Sequence, residues 1–171
     1  NVTVNHAAGS SANPEDGTIA AGADTISFSE IERLFLGAGD DTLNGATGGD
    51  IAFMGGGDDS VTADDGDDTI FAEAGSDTIF GHTGSDYVDG GDGDDLINTR
   101  AAPGTGLPDG GYADPSTPGL EYPADPDPAN DRDTVVAGAG SDTILSGDDD
   151  DTVSGGDGAD SVDAGFDNDS V

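Results

Sequence analysis

Apolar side chains recur along this chain every nine residues, and glycine and aspartate keep the same beat. From Leu36 the sequence divides into the nonapeptides LGAGDDTLN, GATGGDIAF, MGGGDDSVT, ADDGDDTIF, AEAGSDTIF, GHTGSDYVD and GGDGDDLIN, seven units that reach Asn98 without a register slip. The eighth position is always apolar: Leu43, Ala52, Val61, Ile70, Ile79, Val88 and Ile97. The fourth is always glycine (Gly39, Gly48, Gly57, Gly66, Gly75, Gly84, Gly93), and the sixth always aspartate (Asp41, Asp50, Asp59, Asp68, Asp77, Asp86, Asp95). A second block resumes at Asp131, with aspartate at Asp133, Asp142, Asp151, Asp160 and Asp169 and apolar Val135, Ile144, Val153, Val162 and Val171 two residues after each. Each unit predicts a turn followed by a short strand. Glycines let the first six residues turn tightly with exposed carbonyls. Positions seven to nine form the strand, and side-chain alternation points position eight inward.

Charge then changes the picture. Lys and Arg number 3 against 38 Asp and Glu, a formal net charge of −35. Leu, Ile, Val and Phe make up 30 of 171 residues, below the roughly one-fifth under which a highly charged chain is expected to stay disordered. An apolar core alone is not expected to fold it against such self-repulsion. Either the chain is disordered, or a cation absent from the sequence is required, and the fixed register of twelve units argues for the second.

Several function classes fall away. A polyanion does not bind nucleic acid or an anionic membrane face without a bridging cation, and no stretch approaches the roughly 18 apolar residues of a membrane span. The absence of cysteine removes disulfides, thiolate metal sites and thiol nucleophiles. His6 and His82 are the two histidines, and neither lies in an H-E-x-x-H motif. No catalytic residues are expected, and the chain does not read as an enzyme.

The repeat G-G-x-G-x-D-x-U-x, matched at every defined position from Gly90 to Asn98, closely resembles the RTX (haemolysin-type calcium-binding) nonapeptides of secreted bacterial proteins. The resemblance implies an all-β fold: a right-handed parallel β-roll, or RTX β-solenoid, with two units per 18-residue coil and coils about 4.8 Å apart. Asp41, Asp59, Asp77 and Asp95 would line one edge, and Asp50, Asp68 and Asp86 the other. Carboxylates at that spacing repel unless a cation lies between them, and six to eight oxygen ligands suit calcium better than magnesium. By analogy with the family, each ion takes position-six carboxylates from adjacent coils. Backbone carbonyls of positions two and four complete the shell, among them Gly37, Gly39, Gly55, Gly57, Gly66, Gly75, Gly84, Gly91, Gly93, Gly138, Gly140, Gly147, Gly156 and Gly158. Pairing each unit with the next but one gives five sites in the first block and three in the second, about eight Ca2+ ions. The position-five acids Asp40, Asp58, Asp67, Asp94 and Asp150 read as outward turn residues.

Four segments are expected: degenerate coils or a cap over 1–35, repeats over 36–98, an insertion over 99–130 and repeats over 131–171. In the first, Val2–Val4 reads as a strand, Gly22–Ile26 keeps the repeat pattern, and Glu32–Leu34 keeps the tail of another unit. The insertion holds seven of the eight prolines and cannot be regular strand or helix. It reads as a surface loop packed by Tyr112, Leu120 and Tyr122, with a linker or a binding loop as alternatives. Asp125, Asp127 and Asp131 could hold a further ion. Phe35, Phe53 and Phe71 are spaced by 18, so with Ile51 and Tyr87 they should form an outward strip, a candidate partner surface. The insertion could cover that strip, a second protomer or adjacent domain could, or a register error near Ala52 could turn it inward.

The resemblance places the chain outside the cell, secreted or at the cell surface, folding when calcium becomes available. The larger role is then structural, in a surface layer, adhesin or filament, or else that of a secretion and folding module in a type I-secreted enzyme or toxin. The start at Asn1 and the incomplete last repeat suggest a piece of a longer protein.

Overall fold

A computed structural model describes residues 33–45, 47–100 and 131–171 with their side chains, and elsewhere the backbone of the strands Thr3–Asn5, Thr18–Ala21, Asp24–Ile26, Tyr112–Ala113 and Glu121–Tyr122. The chain alternates between two sheets. One runs in the order Thr3–Asn5, Arg33–Phe35, Ile51–Phe53, Thr69–Phe71, Tyr87–Asp92, Thr134–Gly140 and Thr152–Gly158, parallel throughout. The other stacks Asp41–Asn44, Ser60–Asp65, Thr78–Thr83, Leu96–Asn98, Thr143–Gly147 and Ser161–Gly165, also parallel. The result is an all-β solenoid of about six turns, with no helix among the described residues.

Register follows the 18-residue period. Leu34 pairs with Ala52, Ala52 with Ile70 and Ile70 with Val88 in one sheet. Leu43, Val61, Ile79 and Ile97 do the same in the other. No slip occurs at Ala52, which is buried while Ile51 and Phe53 flank it half-exposed. The stacking also continues across the Pro-rich segment: Val88 pairs with Val135 and Ile97 with Ile144, each 47 residues on. That coil therefore carries 29 residues beyond its 18, since 47 − 18 = 29.

The inward residues of both sheets form a single apolar cluster. Position eight supplies most of it, and position one supplies the rest: Met54, Ala63, Ala72 and Ala137 are buried, as is Ser146. The strands are accordingly longer than positions seven to nine. Ser60–Asp65, Thr78–Thr83 and Tyr87–Asp92 run six residues, Thr134–Gly140 and Thr152–Gly158 seven. Alternation simply carries on into the next unit, so position one points in as position eight does. The turn begins at position two, where φ becomes positive, and is positive again at position four. Between them position three keeps coil-to-coil bridges, from Ala38 to Gly56, Ala74 and Asp92.

The N-terminal region departs from the repeat. Asp24–Ile26, despite its matching pattern, forms no coil: it pairs antiparallel with Thr18–Ala21, which in turn pairs antiparallel with Asp41–Asn44. These strands occupy the edge that a solenoid otherwise leaves open to pairing. The expected strand at Val2–Val4 is Thr3–Asn5, parallel to Arg33–Phe35.

Candidate metal centres

Stacking at 18-residue intervals gathers the position-six aspartates into two files, one on each edge. The first holds Asp41, Asp59, Asp77, Asp95, Asp142 and Asp160; the second holds Asp50, Asp68, Asp86, Asp133, Asp151 and Asp169. Within a file each carboxylate accepts, through Oδ1, the backbone N–H of the aspartate one coil earlier. In the first file these bonds are 2.7, 2.7, 2.9, 2.9 and 3.1 Å. In the second they are 2.7, 3.0, 2.9, 2.9 and 3.1 Å. Two files of six leave ten interstices between successive carboxylates, including Asp86/Asp133 and Asp95/Asp142, which join the blocks across the insertion.

The second oxygen of each carboxylate is the informative one. Oδ2 of Asp59, Asp68, Asp77, Asp86, Asp95, Asp142 and Asp151 is buried and receives no hydrogen bond. The residues themselves are at most 3 % exposed. A buried carboxylate oxygen with no donor is costly. Among the described residues the ion pairs Arg100–Asp163 at 2.6 Å and Arg132–Asp150 at 3.8 Å lie at the surface, away from these oxygens. Position one shows where Oδ2 points. A Cβ added at Gly90 would stand 2.6 Å from Oδ2 of Asp95, and one at Gly81 would collide with Oδ2 of Asp86. The unsatisfied oxygens thus face the inside of the turn.

Burial without a counter-charge pushes these acids upward from the ordinary carboxylate range. Desolvation is the main cause and neighbouring aspartates add to it, against the lowering effect of the ladder hydrogen bonds. Asp59 and Asp68 rise to about 7, Asp86 to about 8 and Asp133 to about 9. Asp95 and Asp151 rise to about 6, and Asp77 rises as well.

Carbonyl oxygens line the same turns. At Gly75, Gly93, Gly140 and Gly158 a Cβ would run into the carbonyl of the position-four glycine one coil earlier (Gly57, Gly75, Gly93 and Gly140). Glycine is required there on two counts, the space and a φ between 138° and 159°. Gly39, Gly48, Gly57, Gly66 and Gly84 share the positive φ at position four, and Gly55, Gly91, Gly138, Gly147 and Gly156 have it at position two. Gly37 is not among the positive-φ residues; its carbonyl accepts the N–H of Gly56 at 3.0 Å. Likewise the Gly55 carbonyl accepts from Ala74 at 3.1 Å. These position-two oxygens keep one lone pair for another ligand. Among the described residues no group of three His, Cys, Asp or Glu side chains converges as a metal cage, so any ion here draws on carbonyls as well as carboxylates. Such an all-oxygen donor set fits calcium.

Two features are not legible in the repeat pattern. Position five builds a counter-running ladder on the surface: Asp40 accepts from the N–H of Asp58, Asp58 from Ser76 and Asp94 from Ser141. In the other edge Asp67 accepts from Ser85 and Asp150 from Asn168. Here the earlier coil supplies the oxygen, the reverse of position six. The other is Thr99, buried, whose hydroxyl donates to the Ser146 carbonyl at 3.2 Å.

On the outer face of one sheet, Phe35, Phe53 and Phe71 stack with centroids 4.7 and 4.8 Å apart, and Tyr87 follows at 5.6 Å, tilted. Ile51 lies half-buried on that face. Phe53, Phe71, Glu73, Asp89 and Gly91 line a shallow groove beside it. The expected covering by the Pro-rich insertion, like Asp125 and Asp127, lies outside the described residues.

A sequence model of the RTX calcium-binding nonapeptide repeat matches the chain in four copies, over residues 28–61, 62–97, 129–162 and 136–171. The chain belongs to the RTX calcium-binding repeat family. No curated protein and no solved structure matches it. Membership makes this RTX solenoid a calcium-binding repeat module, a structural rather than a catalytic fold.

Proposed function

We propose that calcium, taken up along the two aspartate files, is what folds this chain, and that the module serves as a structural part of a larger extracellular or cell-surface protein. The observation that carries this is the row of buried Oδ2 atoms with no donor, on a chain of net charge −35. Position-six carboxylates of successive coils hold the ions, with Oδ1 kept on the backbone ladder and Oδ2 turned inward. Carbonyls of positions two and four complete each shell. Bound there, calcium supplies the positive charge that the side chains lack. The files offer ten interstices, two more than counting each block alone gives, because the coils stack across the insertion. Where free calcium is scarce the chain stays expanded, which suits passage out of a cell before folding.

The aromatic strip of Phe35, Phe53, Phe71 and Tyr87, with Ile51, is the surface this reading assigns to a second copy or a neighbouring domain, since stacked rings on so acidic a surface mark a contact. Far-UV circular dichroism during calcium titration tests the function, with magnesium as control and EDTA for reversal. The expected result is a cooperative, calcium-specific, reversible gain of β signal. A β signal already present in EDTA and indifferent to calcium overturns it. Light scattering on the same samples reads assembly, which Phe53→Ser should abolish.

A further inference from the structure

One edge of the solenoid differs from the other after the insertion. At position four the first file keeps glycine throughout, whereas the second carries Asp131, Asp149 and Asp167 in its last three coils. Asp149 and Asp167 take up the positive φ of that position, at 67° and 75°, a conformation aspartate tolerates better than most residues. Their carboxylates build a second ladder beside that of position six: Oδ1 of Asp131 accepts the Gly84 N–H at 2.8 Å, and Oδ2 of Asp149 accepts the Asp131 N–H at 3.0 Å. Asp86, Asp131, Asp133, Asp149 and Asp151 are all buried within three successive coils.

A crowd of acids is not in itself a site. What points to a ligand is that Asp86 and Asp151, at 2 % and 1 % exposure, each hold an Oδ2 with no donor. Each also feels the added carboxylate: the charge of Asp131 acts on Asp86 and that of Asp149 on Asp151. An interstice of the ordinary kind has two carboxylates. Those between Asp86 and Asp133 and between Asp133 and Asp151 have one more nearby, from Asp131 and Asp149. Affinity for calcium rises with the charge of the ligand set.

We propose that these two interstices are a high-affinity pair of calcium sites, filled before the rest, which pin the coil that resumes after the insertion to the coil before it. The inference rests on the calcium-binding reading above. Two solenoid blocks separated by 29 extra residues have the largest loop-closure cost at this junction, and the tightest ions sit where that cost falls.

The test is isothermal titration of calcium chloride into the whole chain, comparing wild type with Asp131→Asn/Asp149→Asn. Asparagine keeps the acceptor oxygen and the shape and removes the charge. Asp58→Asn/Asp94→Asn, on the exposed position-five ladder, removes the same charge elsewhere. The expected result is two affinity classes in wild type, with the tight class weakened about tenfold or more in the first variant and unchanged in the second. Circular dichroism at saturating calcium should show the same β content in all three. A single class in wild type overturns the proposal, as does equal weakening by both variants, which would reduce the effect to net charge. Loss of β structure in the first variant alone, even at saturating calcium, also overturns it, since the weaker sites should still fold the chain. No calcium uptake by wild type sinks the proposed function itself and this inference with it.

Discussion

Most described repeats hold a left-handed backbone at positions two and four, and both positions also take residues other than glycine. At Gly75, with φ 145°, the Gly57 carbonyl of the previous coil stands where a side chain would begin, so that site has room for nothing else, whereas Asp149 and Asp167 hold position four at φ of 67° and 75°. At position two the sequence puts Asp64, Glu73 and His82 into φ of 82°, 78° and 75°. A non-glycine residue held there costs on the order of 1 kcal/mol or more. Opposite outcomes follow from two substitutions in one turn. Gly75→Ala should cost on the order of 3 kcal/mol, from the collision with Gly57 and the strained φ together. Glu73→Gly, at an exposed position, should gain about 1 kcal/mol. Chemical denaturation at saturating calcium measures both; a neutral Gly75→Ala would show that the turn has slack the carbonyl stack does not suggest.

In the strands, burial alternates so strictly that neighbouring residues should differ sharply in their weight. Ile144 is fully buried and stacks on Ile97 and Val162, whereas Thr143 faces outward. Ile144→Ala should cost about 3 kcal/mol and Thr143→Ala no more than about 0.5 kcal/mol, read from denaturant midpoints at fixed calcium. Position eight was legible in the sequence because its residues are large and apolar at a constant spacing. Position one was not. Ala63, Ala72, Ala137 and Ser146 occupy it at the head of each turn, and small residues there look like turn formers although the alternation makes them core. The antiparallel pair Thr18–Ala21 and Asp24–Ile26 was hidden for a related reason: a single copy of the motif fits either a coil or a hairpin, and only partners in register decide between them. Position-six aspartates could be read from spacing alone. Their joining across residues 99–130 could not, because it depends on which coils stack.

For the molecule as a whole, the aspartates proposed to hold calcium also set the response to pH, and the sign differs with and without the ion. In the metal-free chain, burial holds Asp59 and Asp68 at about 7, Asp86 at about 8 and Asp133 at about 9, against an ordinary 3.8. Between roughly pH 4 and 9 the folded state therefore binds more protons than the unfolded one, and stability falls as pH rises through that window. Relief of the self-repulsion of 38 acids acts in the same direction. Calcium reverses the dependence, because its ligands must be deprotonated: protons now compete with the ion, and the calcium concentration at half-folding should rise as pH drops from 8 to 5. Circular dichroism over that range checks both limbs. In EDTA, β signal should grow on acidification; in limiting calcium, it should shrink. A metal-free chain whose β content is flat from pH 9 to 5 would mean that the buried carboxylates are not what keeps it unfolded, and the weight would shift to chain entropy, which no proton relieves.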